Sequence, residues 1–143
     1  MLLFLVLSSY SQQQKQVVPD PRLYETLGES AVNDLKTNNP KQLLIENINM
    51  QYFCFVALKL PAPEGEYIMK GELKNYLKPD AGKSCNYSEI IGSESVNRYY
   101  FNLEQDAFLP TVYPLGNTGV YVVVNSKQWF DLQKRAVLHE YGF

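Results

Sequence analysis

Histidine, cysteine and paired carboxylates are the side chains that most often do chemistry, and this chain offers few of them. His139 is the only histidine, and Cys54 and Cys85 are the only cysteines, in 143 residues. Counting alone excludes zinc sites built on several imidazoles, acid–base pairs of histidines and the His-Glu-x-x-His arrangement of metalloproteases. His139 falls in the last turn of a C-terminal helical pattern, where exposed carbonyls favour partial positive charge, a simpler role than catalysis. A serine triad would need a presented nucleophile, and the chain has no Gly-x-Ser-x-Gly elbow. Cys85 with His139 is a conceivable thiol dyad, with nothing local to support it.

Other motifs fall short in similar ways. Gly82-Lys83-Ser84 matches the end of a phosphate-binding loop, but the glycine required five positions earlier is Leu77. Pro79 lacks an amide donor and Asp80 would repel phosphate, so the segment reads as a turn. Glu64 with Glu66, or Glu89 with Glu94, would serve a hydrolase only if the fold set two of them across a scissile bond. Their ordinary role is to face solvent. Asn86-Tyr87-Ser88 is a glycosylation sequon only in a eukaryotic secretory pathway. No metal and no cofactor are expected from these residues.

The formal charge of −2 is small, and Lys and Arg are scattered singly. No stripe could neutralise several phosphates, and no polybasic cluster could hold an anionic membrane, so no nucleic-acid partner is expected. Eleven tyrosines are the least ordinary feature of the composition. Tyrosine offers large contact area with a hydrogen-bonding tip, which makes Arg98, Tyr99 and Tyr100 the best candidate surface for a protein or glycan. Alternating aromatics are equally at home packed in a strand.

Location is read from the N-terminus. Met1-Leu2-Leu3-Phe4-Leu5-Val6-Leu7 is an apolar run followed by Ser8, Ser9 and Ser11, a signal-peptide pattern with cleavage expected after Ser11. The run is far shorter than the roughly 20 residues that cross a bilayer, so no transmembrane anchor is expected after cleavage. An exported chain could form a Cys54–Cys85 disulfide. Cys54, however, lies inside the apolar Tyr52-Phe53-Cys54-Phe55-Val56, where a free thiol behaves as a small buried hydrophobe.

The elements that would position these residues follow from periodicity and caps. After residues 12–19, read as a polar linker, Asp20 and Pro21 open a helix as N-cap and first residue. Leu23, Tyr24, Leu27, Ala31 and Leu35 share one side of its wheel, up to Asn38-Asn39-Pro40. Asn39 and Pro40 open a second helix, with Gln42 as capping-box partner and Leu43, Leu44 and Ile48 on its apolar side. Gln51 to Leu58 reads as a central buried strand, and Glu66–Met69, Ser88–Ile91 and Arg98-Tyr99-Tyr100-Phe101 as further strands.

Thr111–Leu115 and Val120–Val124 flank Gly116-Asn117-Thr118-Gly119 and predict a β-hairpin, with Pro110 and Pro114 placing the first strand at a sheet edge. A last helix spans about Ser126 to His139, with Asn125 and Gln128 as a capping box and Trp129, Phe130, Leu132, Ala136 and Val137 as its buried stripe. The expected fold class is α+β: residues 20–143 form one domain, with N-terminal helices and a C-terminal helix on a small antiparallel or mixed sheet containing the C-terminal hairpin.

The run Tyr24-Glu25-Thr26-Leu27-Gly28-Glu29-Ser30-Ala31-Val32-Asn33-Asp34-Leu35, then Asn39-Pro40-Lys41-Gln42-Leu43, resembles the opening of small exported proteins of unknown function from Bacteroidota. Asn47, Asn49, Tyr52 and Phe53, and the ending from Val112 to Phe130, are similar to theirs as well. The resemblance implies an exported envelope protein and carries over no site residue. The expected function is a non-catalytic binding or structural accessory of the cell envelope, in the periplasm or attached to the envelope. A small carboxylate-dependent hydrolase of envelope glycans is the alternative.

Overall fold

Asp20 opens the first helix as its sequence predicts. In the computed structural model, which describes residues 14–57, 72–79, 96–116 and 118–143, its carboxylate accepts from the Arg22 amide at 3.0 Å. The same carboxylate accepts from Arg22 Nε at 2.9 Å and from Nη2 at 2.8 Å. Helix α1 then runs Pro21–Leu27. The single long helix expected here is in fact two. Gly28 has φ 82 and ψ 158, a backbone region open essentially to glycine alone, and it caps α1 while starting α2, Glu29–Asn38. The break resets the helical phase, so Val32 is buried while Ala31, Tyr24 and Leu27 are exposed. A Cβ at Gly28 would meet nothing within 4 Å, so strain there is purely conformational. Gly28→Ala is expected to lower the unfolding free energy by about 1–3 kcal/mol, read as a shifted urea midpoint.

Helix α3, Pro40–Tyr52, is the centre of the helical layer, packing on α1, α2 and the C-terminal helix and leading into the sheet. The Asn39 side chain accepts from the Gln42 amide at 3.2 Å. The Gln42 side chain does not complete the expected capping box but donates to Glu46 at 2.7 Å. Leu43, Leu44, Ile48 and Met50 point into the core.

Among the described residues the sheet has four strands in the order β1-β4-β3-β2, with β1 Cys54–Ala57, β2 Glu72–Leu73, β3 Thr111–Pro114 and β4 Tyr121–Val124. The β1–β4 and β3–β4 pairs are antiparallel and β2–β3 is parallel, so the sheet is mixed. Cys54, Val56, Tyr113, Val122 and Val124 join the main core, while Phe55, Ala57, Val112, Tyr121 and Val123 form a second cluster on the other face. The hairpin forms as expected, with the Leu115 amide donating to the Val120 carbonyl at 2.9 Å.

Two strand positions differ from expectation. The segment read as a central strand from Gln51 starts only at Cys54, because Gln51 and Tyr52 complete α3, and among the described strands β1 lies at one edge. Apolarity on alternate residues reports that both faces are covered, which is independent of having neighbours on both sides. Conversely β3, placed at an edge on account of its prolines, is interior. With Leu115 bonded to Val120, the antiparallel alternation puts Pro114 where no amide toward β4 is required, and its carbonyl accepts from Leu77 at 2.8 Å. Arg98–Tyr100, also read as part of a strand, is a 3₁₀ turn capped by Asn97.

The C-terminal helix α4, Lys127–Glu140, is capped by Ser126, whose hydroxyl accepts from the Trp129 amide at 3.3 Å. Asn125, expected as the cap, instead ties the hairpin to the end of α3, donating to the Tyr52 carbonyl at 2.8 Å. The five apolar residues expected as one stripe occupy two. Phe130 and Val137 face the core, while Trp129, Leu132 and Ala136 face outward. The α+β class stands.

The N-terminal stretch read as a linker is fastened to the body over the part described. Val17 is only 4% exposed, and Asn47 grips the backbone on both sides of Pro19. Its Oδ1 accepts from the Asp20 amide at 2.8 Å and its Nδ2 donates to the Val18 carbonyl at 2.7 Å. The signal segment 1–11, the strands expected at 66–69 and 88–91, the sequon and Gly82-Lys83-Ser84 lie outside the described residues.

Candidate functional site

The Arg98–Tyr100 turn is held in place by its own chemistry. Asn97 is buried; its Oδ1 accepts from the Tyr99 amide at 3.1 Å and its Nδ2 donates to Thr26 Oγ1 on α1 at 2.8 Å. The Tyr99 hydroxyl donates to Glu46 on α3 and accepts from Asn49 Nδ2 at 3.4 Å. Burial first, and then the Glu46 carboxylate, push the Tyr99 phenol up to about 12. Tyr100 reaches Glu25 on α1 at 3.2 Å.

Arg98 lies over the Phe53 ring at 3.9 Å and over the Tyr99 ring at 4.8 Å, close enough for cation–π attraction, while its buried Nε makes no hydrogen bond. The three residues proposed as a recognition surface therefore dock this turn onto α1, α3 and the start of β1. A Tyr99→Ala, Tyr100→Ala variant would report on packing as much as on recognition.

Of the groups weighed for chemistry in the sequence, Cys54 and His139 fall among the described residues. Cys54, the first residue of β1, is a free thiol buried on the core side of the sheet. Burial pushes it up to about 12, against the smaller opposing pull of Arg98 and Arg22, so at neutral pH it is protonated and a poor nucleophile. His139 sits exposed in the last turn of α4. Cys85, Glu64, Glu66, Glu89 and Glu94 lie outside the described residues. No cluster of three potential metal ligands occurs among the described residues.

Several described carboxylates are engaged in ion pairs. Glu140 pairs with Lys15 at 2.5 Å, Asp131 with Lys127 at 2.5 Å and Glu104 with Lys74 at 3.5 Å. Asp20 is the most constrained of them. Burial raises its carboxyl, but the hydrogen bonds and charge of Arg22 outweigh that and hold it below its ordinary value. A lowered native value means that the contribution is complete above the ordinary carboxylate range and is lost as pH falls through the native value. Asp20→Asn is therefore expected to flatten the acid limb of a stability–pH profile followed by urea denaturation and to leave its slope above pH 7 unchanged.

Among the described residues, an apolar patch and several hollows are open to a partner. In the patch, Phe108 is 81% exposed, Leu109 50%, Trp129 40% and Leu132 57%. Asp106 Oδ1 accepts from the amides of Phe108 at 2.7 Å and Leu109 at 3.0 Å, which fixes the loop, and these bonds hold the Asp106 carboxyl below its ordinary value. The Lys127 amide donates to the Asp106 carbonyl and the Gln128 amide to Ala107, at 3.2 Å in the second case. The loop that carries Phe108 is thus bonded to the first turn of α4, which carries Trp129. Sequence reading missed Phe108 and Leu109. Two large apolar residues between an Asx-turn former and Pro110 were the available signal.

One hollow is a groove of about 390 Å³ lined by residues 74–79 on one side and by Asn102, Glu104 and Tyr113 on the other. Another hollow, of about 420 Å³, is lined by Val18–Pro21, α3 and the end of α4. No described helix is long and apolar enough to cross a membrane. Comparison with protein-family models, with curated proteins and with solved structures yields no match to this chain.

Proposed function

We propose that this is an exported, non-catalytic binding or structural accessory of the cell envelope, acting in the periplasm or attached to the envelope, with recognition through the Phe108–Leu109–Trp129–Leu132 face. The observation that carries the reading is the way Phe108 is displayed. A large aromatic side chain stays 81% exposed on a loop pinned by four backbone amides, two of them donated by α4. Large apolar side chains in a preformed arrangement are the usual anchors of protein interfaces. Their partner is expected to be a protein offering an apolar pocket. The N-terminal apolar run and the resemblance to exported Bacteroidota proteins support the location.

Photo-cross-linking in the native envelope, comparing wild type with a Phe108→Ser, Leu132→Ser variant, tests this. Both side chains are exposed, so the variant is expected to keep its urea midpoint and to lose the cross-linked partner. Identical partner profiles would overturn the reading.

A further inference from the structure

Helices α3 and α4 pack antiparallel, with a furrow between them. At one end Tyr52, the last residue of α3, has its ring centroid 6.3 Å from that of Trp129 in the first turn of α4. From Tyr52 the furrow deepens into the hollow of about 420 Å³, whose lining includes buried Leu44 and Ile48 and reaches Tyr141. That volume falls in the range of small-ligand pockets. Pro19 and Pro21 wall it on the strap side, where Asn47 fixes the backbone, so the site is preformed.

Hydrogen-bonding capacity along this furrow is one-sided. Trp129 Nε1 and the hydroxyls of Tyr52 and Tyr141 donate to no described residue. The acceptors beside them are engaged: the Asp20 carboxylate by Arg22, the Val18 carbonyl by Asn47, the Tyr52 carbonyl by Asn125 and the Glu140 carboxylate by Lys15. Asp20 and Glu140 are the charged residues of the hollow's lining, and each is paired, which favours an uncharged occupant. A chain that accepts hydrogen bonds and donates none is one rich in proline. Its backbone lacks N–H groups, while its carbonyls stay open in the polyproline II form. Such segments dock in grooves lined by aromatic rings, and Trp129, Tyr52 and Tyr141 are each at least partly exposed. From Trp129 to Tyr141 at the end of α4 is about 18 Å, the length of about six residues of polyproline II.

We propose that the furrow between α3 and α4 binds an uncharged, proline-rich segment of a partner protein in the polyproline II form. Prolines rest on Trp129 with Tyr52 and in the hollow beside Tyr141, and the indole N–H and the two hydroxyls donate to the segment's carbonyls. The proposal rests on reading this chain as a binding protein and shares Trp129 with the Phe108 face.

Titration of the isotope-labelled full chain with decaproline blocked at both ends, and with a blocked glycine–serine decapeptide, tests it through amide chemical shifts and Trp129 emission. Decaproline is expected to shift the amides of residues 18–21, 44–52 and 129–141 and to move the emission to the blue. Trp129→Ala is expected to weaken binding by about tenfold or more. Tyr52→Phe and Tyr141→Phe, which keep the rings, are expected to weaken it about threefold to tenfold each, with unchanged urea midpoints. Absence of shifts at millimolar decaproline, equal shifts with the glycine–serine peptide, or unchanged affinity in all three variants would each overturn the proposal. The Phe108→Ser, Leu132→Ser variant is expected to keep decaproline binding, so this proposal and recognition through the Phe108 face can fail separately.

Discussion

Asn47→Ala is expected to destabilise the protein by about 2–4 kcal/mol, because truncation strands two backbone groups at once. The Asp20 amide and the Val18 carbonyl lose the partners that hold them at 2.8 and 2.7 Å, and the first of these bonds is buried. The loss spreads locally. Val17 is carried into the core by the segment that Asn47 grips, and Asp20 caps α1 and takes the bidentate pair with Arg22. Urea denaturation measures the free energy, and trypsin cleavage at exposed Lys15 under native conditions measures release of the strap. A loss below about 1 kcal/mol with unchanged cleavage would show that the strap is held by something other than this clamp.

Ile48→Ala should cost about 2–5 kcal/mol, the range for removing a fully buried branched side chain. Ile48 is 1% exposed on α3, the helix that meets α1, α2 and α4 and leads into β1. A cavity there has layers on several sides that cannot all collapse inward, which places the expected cost in the upper half of that range. The urea m-value should stay constant while the midpoint falls. A cost near 1 kcal/mol would mean that the neighbouring elements close the gap.

Local rules read this sequence well, and packing decided the rest. Asp20-Pro21 and Asn39-Pro40 announced their helices because a cap is settled within four residues. The Val112–Val124 hairpin was equally plain, since its turn and its flanking strands are contiguous. One helix was expected straight through Gly28, because a wheel drawn through it looks continuous while the backbone there is not. Arg98-Tyr99-Tyr100-Phe101 carries strand-type residues, yet Asn97 caps a turn there and the tyrosine tips are held by Glu46 and Glu25 from other elements.

The candidate sites were less legible than the fold. On α4, Trp129, Leu132 and Ala136 lie on one side and Phe130 and Val137 on another, and nothing local says which side the core will take. The groove between residues 74–79 and Asn102, Glu104 and Tyr113 joins segments more than twenty positions apart, which only the sheet brings together.

Trp129 is the sole tryptophan, stands 40% open and has its ring centroid 6.3 Å from that of Tyr52 at the end of α3. The molecule therefore carries a built-in optical gauge. Intrinsic fluorescence excited at the indole comes from one position, so a blue shift on mixing with a protein ligand reports cover over that ring alone, without any attached dye.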